Sequence, residues 1–221
     1  MPALYEIGKS YPIQNQANPN ATIKIVELKY PKFDPLSRNV QSHYSEGYIV
    51  TTTGVSKLGA DTKVFAKVYL PSPDIPDDRD QRADREVMVY KKFTTLQTAG
   101  SIPTLYGDGK FHFKSGQTSS PLILLSIPPG KILRKRDKTA KADWTKEKLM
   151  ALYPKVLAIY GQLNTEIQKT DVPHTVFVGD KPCIFDFDRA ILKNEPGFDA
   201  TQDQTDLAAY ILGLIQNYAK K

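Results

Sequence analysis

The charged side chains that stand out in this sequence sit in apolar surroundings. Lys67 lies in Lys63-Val64-Phe65-Ala66-Lys67-Val68-Tyr69-Leu70, a stretch that alternates in character. As a strand it places Val64, Ala66, Val68 and Leu70 on one face and Lys63, Phe65, Lys67 and Tyr69 on the other. Glu86 follows in the next helical segment, where a lone glutamate reads by itself as a solvated helix charge. Asp186 interrupts Cys183-Ile184-Phe185-Asp186-Phe187, and a carboxylate in such a run needs a hydrogen-bond or cationic partner. Lys131, Arg134, Lys135, Arg136, Lys138 and Lys141 form a basic stretch open to RNA, lipid or an acidic protein, although its plainest reading is a solvated loop.

The elements around these residues read as α+β. Residues 1–44, rich in Pro, Asn and Lys, are expected to form an irregular N-terminal arm with one strand near Ile23 to Leu28. Tyr48 to Thr53 and Lys63 to Leu70 form a hairpin, with turn chemistry at Gly54, Gly59 and Asp61. Pro71, Pro73 and Pro76 break the chain before a helix that runs to about Gln97, with Ala83, Val87, Tyr90 and Phe93 as its buried stripe. Strands are expected over Thr104 to Asp108 with Phe111 to Lys114, and over Leu122 to Leu125; Pro128-Pro129-Gly130 ends that sheet.

A helix from Leu149 to Gln168 should carry Pro154 near its first turn. Val176 to Val178 and Cys183 to Phe185 then make a short hairpin, and a last helix spans about Asp203 to Tyr218.

Composition sets outer limits. The chain has 221 residues, 40% hydrophobic and 24% charged, ordinary for a globular protein. No apolar run is long enough to span a bilayer, so no membrane partner is expected. Cys183 is the single cysteine, which excludes an internal disulfide framework and a multi-cysteine zinc site; an intracellular, cytoplasmic location is the default. The net charge of +6 mildly favours anionic partners without naming one.

The order of elements resembles the protein-kinase fold: a small antiparallel-sheet N-lobe with one helix over 45–127, then a reduced, mainly helical C-lobe over 128–221. Phe65-Ala66-Lys67-Val68 looks like the strand that carries the family's phosphate-binding lysine, and Glu86 stands where that lysine's carboxylate partner belongs. Ile184-Phe185-Asp186-Phe187-Asp188-Arg189-Ala190 looks like the metal-binding Asp-Phe-Gly segment with Asp188 in place of glycine, a wording that resembles kinase-like proteins of fungi.

The resemblance implies ATP and magnesium as cofactors. Lys67 would neutralise phosphates, Glu86 would orient Lys67, Asp186 would bind the metal and Asp171 would accept the proton of the attacking hydroxyl. Leu125, Ser126 and Ile127 would line the nucleotide at the connector between lobes.

Departures from the family are as informative. No Gly-x-Gly-x-x-Gly loop is present to cradle phosphates. The catalytic loop, Lys169-Thr170-Asp171-Val172-Pro173-His174-Thr175, lacks a histidine two places before Asp171 and is one residue short, so that Thr175 falls where the family has its metal-binding asparagine. Pro128 has no N–H to offer an adenine. The expected functions are therefore a Mg-ATP-binding domain with weak or restricted phosphotransfer, a catalytically dead scaffold that binds a protein partner, or, with least support, a basic nucleic-acid-binding protein.

Overall fold

The structure, a computed structural model, describes residues 7–14, 18–30, 45–56, 58–59, 61–69, 78–111, 119–128, 130–132, 145–169, 176–178, 181–202, 205–206, 208–210 and 212–213. The chain is α+β, and every strand pair among the described residues is antiparallel. It divides into two compact units: Met1–Lys91 with Thr104–Ile127, and Lys92–Pro103 with Pro128–Lys221.

The first unit is built on a closed barrel of strands β1 (Ser10–Gln14), β2 (Thr22–Tyr30), β3 (Ser45–Thr53), β4 (Lys63–Tyr69), β6 (Ser120–Leu125) and β5 (Leu105–Phe111), in that order. Alternation drives the closure. Ile13, Ile23, Ile25, Tyr48, Val50, Val64, Ala66, Val68, Leu122 and Leu124 turn inward and form one buried cluster. The inward face of β4 is thus the one its alternation names.

The first strands correct the sequence reading. The expected irregular arm holds two strands, and β1 seals the barrel by pairing Tyr11 with Ile23 on β2 and Ile13 with Phe111 on β5. Residues 10–14 are too short and too Pro-interrupted to read as a strand by pattern, yet Ile13 is 2% exposed because two neighbours supply the ladder. The turn after β3 needs Gly54: its φ is +76°, and a Cβ there would lie 2.7 Å from the Asn18 amide nitrogen.

Helix α1 (Asp78–Lys92) is shorter than expected. It stops at Phe93, whose φ of −102° and ψ of 49° are not helical, and α2 (Thr94–Thr98) follows as a separate turn in the second unit. The strand expected over Thr104 to Asp108 with Phe111 to Lys114 is β5, with an irregularity between Leu105 and Gly107; residues 112–114 lie outside the described residues.

In the second unit, α3 (Lys146–Leu163) begins earlier than the apolar stripe suggests, because Thr145 caps it by accepting the Lys148 N–H at 3.3 Å. Pro154 consequently lies inside the helix rather than in its first turn. Leu149, Leu152, Val156, Ile159, Tyr160 and Leu163 form its buried face. The helix ends at Asn164, and β8 (Ile167–Gln168) takes the place of its expected last turn.

The hairpin of β9 (Val176–Val178) and β10 (Pro182–Ile184) gains β7 (Lys131–Ile132) as a third strand. A second small sheet pairs β8 with β11 (Ile191–Leu192). Further helical residues occur between 202 and 213. No helix among the described residues is long and apolar enough to cross a membrane.

Candidate functional site

In the first unit the chemistry centres on the outward face of β4. Register places Lys67 opposite Gly47 on β3 and Ile123 on β6, so one flanking strand contributes no side chain beside it. The expected ion pair is present: the Lys67 ammonium lies 2.6 Å from Glu86 Oε2 on α1. Both side chains are buried, 8% and 1% exposed.

Two phenols complete the cluster. The Tyr69 hydroxyl donates to the same Glu86 Oε2, and the Tyr90 hydroxyl donates to Oε1 at 3.2 Å. A buried carboxylate that accepts from an ammonium and two hydroxyls has its charge matched and both oxygens satisfied. The Lys67 ammonium also stands 5.1 Å from the centre of the Tyr69 ring, and the Arg82 guanidinium 5.9 Å from it.

Spacing explains the cluster. Arg82, Glu86 and Tyr90 recur every fourth residue along α1, and Lys67 and Tyr69 are next-but-one neighbours on β4. From the sequence Tyr90 reads as core, Tyr69 only as a face-mate of Lys67, and Arg82 carries no signal, because an apolar stripe along α1 does not mark its polar members.

The connector residues show their own order. The Ser126 N–H donates to the Thr104 carbonyl at 2.9 Å, and the Ser126 hydroxyl accepts the Thr104 N–H at 2.9 Å. Leu125 is buried at 3% exposure, and Ile127 is 38% exposed. Pro128 has no N–H and that of Ser126 is committed to Thr104, so Ile127 carries the remaining backbone donor of the three.

In the second unit, Asp186 and Asp188 follow β10. Asp186 has a φ of +69°, a left-handed conformation that side-chain-bearing residues seldom hold. The carboxylate oxygens of Asp186 and Asp188 lie within 4.8 Å of one another, and Asp188 is buried. Phe187 between them is fully buried. Lys169, 1% exposed, donates to the Asp186 carbonyl oxygen and stands 5.3 Å from the Phe187 ring centre.

No family model matches the chain, and no curated protein does so either.

Asp171, His174 and Thr175 lie outside the described residues, as does the basic stretch beyond Lys131–Ile132. Cys183 is 2% exposed on β10, and burial pushes its thiol up to about 12, so it is packing rather than a nucleophile. Lys169 carries no signal in the sequence, since nothing in its neighbours marks it for burial.

Proposed function

We propose that the chain is a kinase-like, Mg-nucleotide-binding protein with weak or restricted phosphotransferase activity. The observation that supports this best is Lys67, held on a barrel strand by a glutamate that two tyrosine hydroxyls also grip. A lysine needed only for solubility would not be buried against a carboxylate that two tyrosine hydroxyls also bond. A fixed ammonium of this kind suits the phosphates of a nucleotide, where catalysis is mostly the placement of charge.

In this reading Glu86, pinned by Tyr69 and Tyr90, orients Lys67. The carboxylates of Asp186 and Asp188 are hard oxygen donors on one loop, a donor set that fits magnesium. When bound, the metal would neutralise phosphate charge. Asp171 would accept the proton of the substrate hydroxyl, whose oxygen takes the γ-phosphoryl group with ADP as leaving group. Leu125, Ser126 and Ile127 border the base, with the Ile127 N–H as donor. The missing glycine-rich loop and Pro128 both argue for weak affinity, since each removes a backbone contact worth about 0.5–1.5 kcal/mol.

A second reading, a scaffold that binds a protein partner, is favoured by the depth of the Lys67–Glu86 pair, which suits an internal strut as well as a ligand contact. Thermal unfolding of the whole chain with ATP, with and without magnesium, separates the two. The nucleotide reading expects magnesium-dependent stabilisation that reaches about 2.7 kcal/mol when ATP is at 100 times its Kd, and its loss in Asp186→Asn. Asp171→Asn should lower turnover and leave that stabilisation nearly intact. No response at millimolar ATP in the wild type would leave the scaffold reading standing and end the other.

A further inference from the structure

We propose that Lys169 is the positioning residue that holds Asp186 in its left-handed conformation and thereby aims the Asp186 carboxylate; the aim toward a metal rests on the function proposed above. Lys169 follows Gln168, the last residue of β8, whose register partner is Ile191 at the start of β11. The loop that carries Asp186 and Asp188 runs from β10 to β11. Lys169 thus continues directly from a residue paired at the exit of this loop, while its side chain bonds the Asp186 carbonyl near the entrance.

The rest of the loop has its own fastenings. Ile184 donates to the Ser101 carbonyl at 2.8 Å, and Ala190 donates to the Phe187 carbonyl at 3.0 Å. The Lys169 bond acts on the peptide group of Asp186 itself, where φ is +69°. A side-chain-bearing residue is held in that region only when its surroundings over-determine it. The Lys169 ammonium does this by a charge-assisted hydrogen bond to the Asp186 carbonyl, which fixes the peptide plane that follows the strained residue.

Burial of a lysine at 1% exposure needs compensation, and the Phe187 ring at 5.3 Å supplies an electron-rich face. A positive charge beneath a loop that bears two carboxylates also offsets part of their mutual repulsion.

The test compares Lys169→Met, Lys169→Gln and Lys169→Arg in the whole protein. Amide hydrogen exchange of residues 185–190 is read without metal, and Mn²⁺ affinity is read by electron paramagnetic resonance. In Lys169→Met, exchange in 185–190 should accelerate about ten-fold while residues 182–184 keep their protection, and Mn²⁺ should bind about ten-fold more weakly. Lys169→Gln, which keeps a donor without the charge, should fall between; Lys169→Arg should recover both readings. If Lys169→Met does not fold, Lys169→Gln against Lys169→Arg decides by the same order.

A folded Lys169→Met with unchanged loop exchange overturns the proposal, as does a Lys169→Arg that recovers neither reading. Wild-type protein that binds no Mn²⁺ but whose loop exchange still follows residue 169 would sink the metal reading and leave Lys169 as the brace of the Asp186 backbone.

Discussion

In the first unit, Lys67 is gripped by side chains that rise from a barrel strand and a helix; in the second, Asp186 is governed by a hydrogen bond to its own backbone and by a left-handed bend. The two arrangements hold charge by opposite means. Regular elements deliver side chains at fixed spacing, so Glu86 can be reached by Lys67, Tyr69 and Tyr90 at once. A loop between short strands offers no such spacing, and Asp186 is set by fixing the peptide from which it projects. The first site should therefore be costly to break and slow to move. The second should respond to local substitutions with little effect on the fold.

The largest expected effect tests the first half of that contrast. Glu86→Ala strips the shared acceptor from an ammonium and two phenols, and should cost about 3–5 kcal/mol in urea unfolding. A loss below about 1 kcal/mol, the range of solvated pairs, would mean that the cluster does not bind the strand to the helix.

Next come the phenols. Tyr69→Phe should cost about 1.5–3 kcal/mol, as hydrogen bonds to charged groups do. Tyr90→Phe should cost less, because its bond to Glu86 is 3.2 Å long. Equal losses would show that the two oxygens of Glu86 are interchangeable.

The second site predicts a change of opposite sign. Asp186→Gly relieves the left-handed strain and should raise stability by about 1 kcal/mol while it removes a carboxylate. Asp186→Ala should bring no such gain. A destabilised glycine variant would show that the Asp186 side chain supports the fold.

The smallest effect at neutral pH concerns Cys183, which marks how firmly the strand before the loop is packed. Its thiol rises from 9.0 to about 12 because burial disfavours the thiolate. Since the folded value is the higher one, the thiol's contribution is intact below pH 9 and is lost as the pH climbs toward 12. Cys183→Ala should flatten the alkaline fall in stability, and alkylation of the native protein at pH 8 should be limited by unfolding. Rapid alkylation would place the loosening in β10 and not in the loop alone.

Much of this was legible from pattern alone. Alternation in Lys63 to Tyr69 identified both faces of β4, while the pairing of Lys67 with Glu86 came from the likeness of this strand and the next helix to those of protein kinases. What escaped depended on partners distant in sequence. Ser10–Gln14 becomes a strand only because β2 and β5 flank it. Helix α1 breaks at Phe93 with neither proline nor glycine to announce it. Lys169 looks like any surface lysine until the chain returns to it seventeen residues later with Asp186.

The closed barrel has a consequence for handling and evolution of the chain. Its seam is β1, five residues that pair on both sides. Cleavage after Gln14 would leave β2 and β5 with rows of unsatisfied amides and carbonyls, the kind of open margin that recruits a strand from another molecule. A protein trimmed there should self-associate, and a supplied ten-residue peptide carrying Ser10 to Gln14 should compete with that self-association by restoring the missing stave.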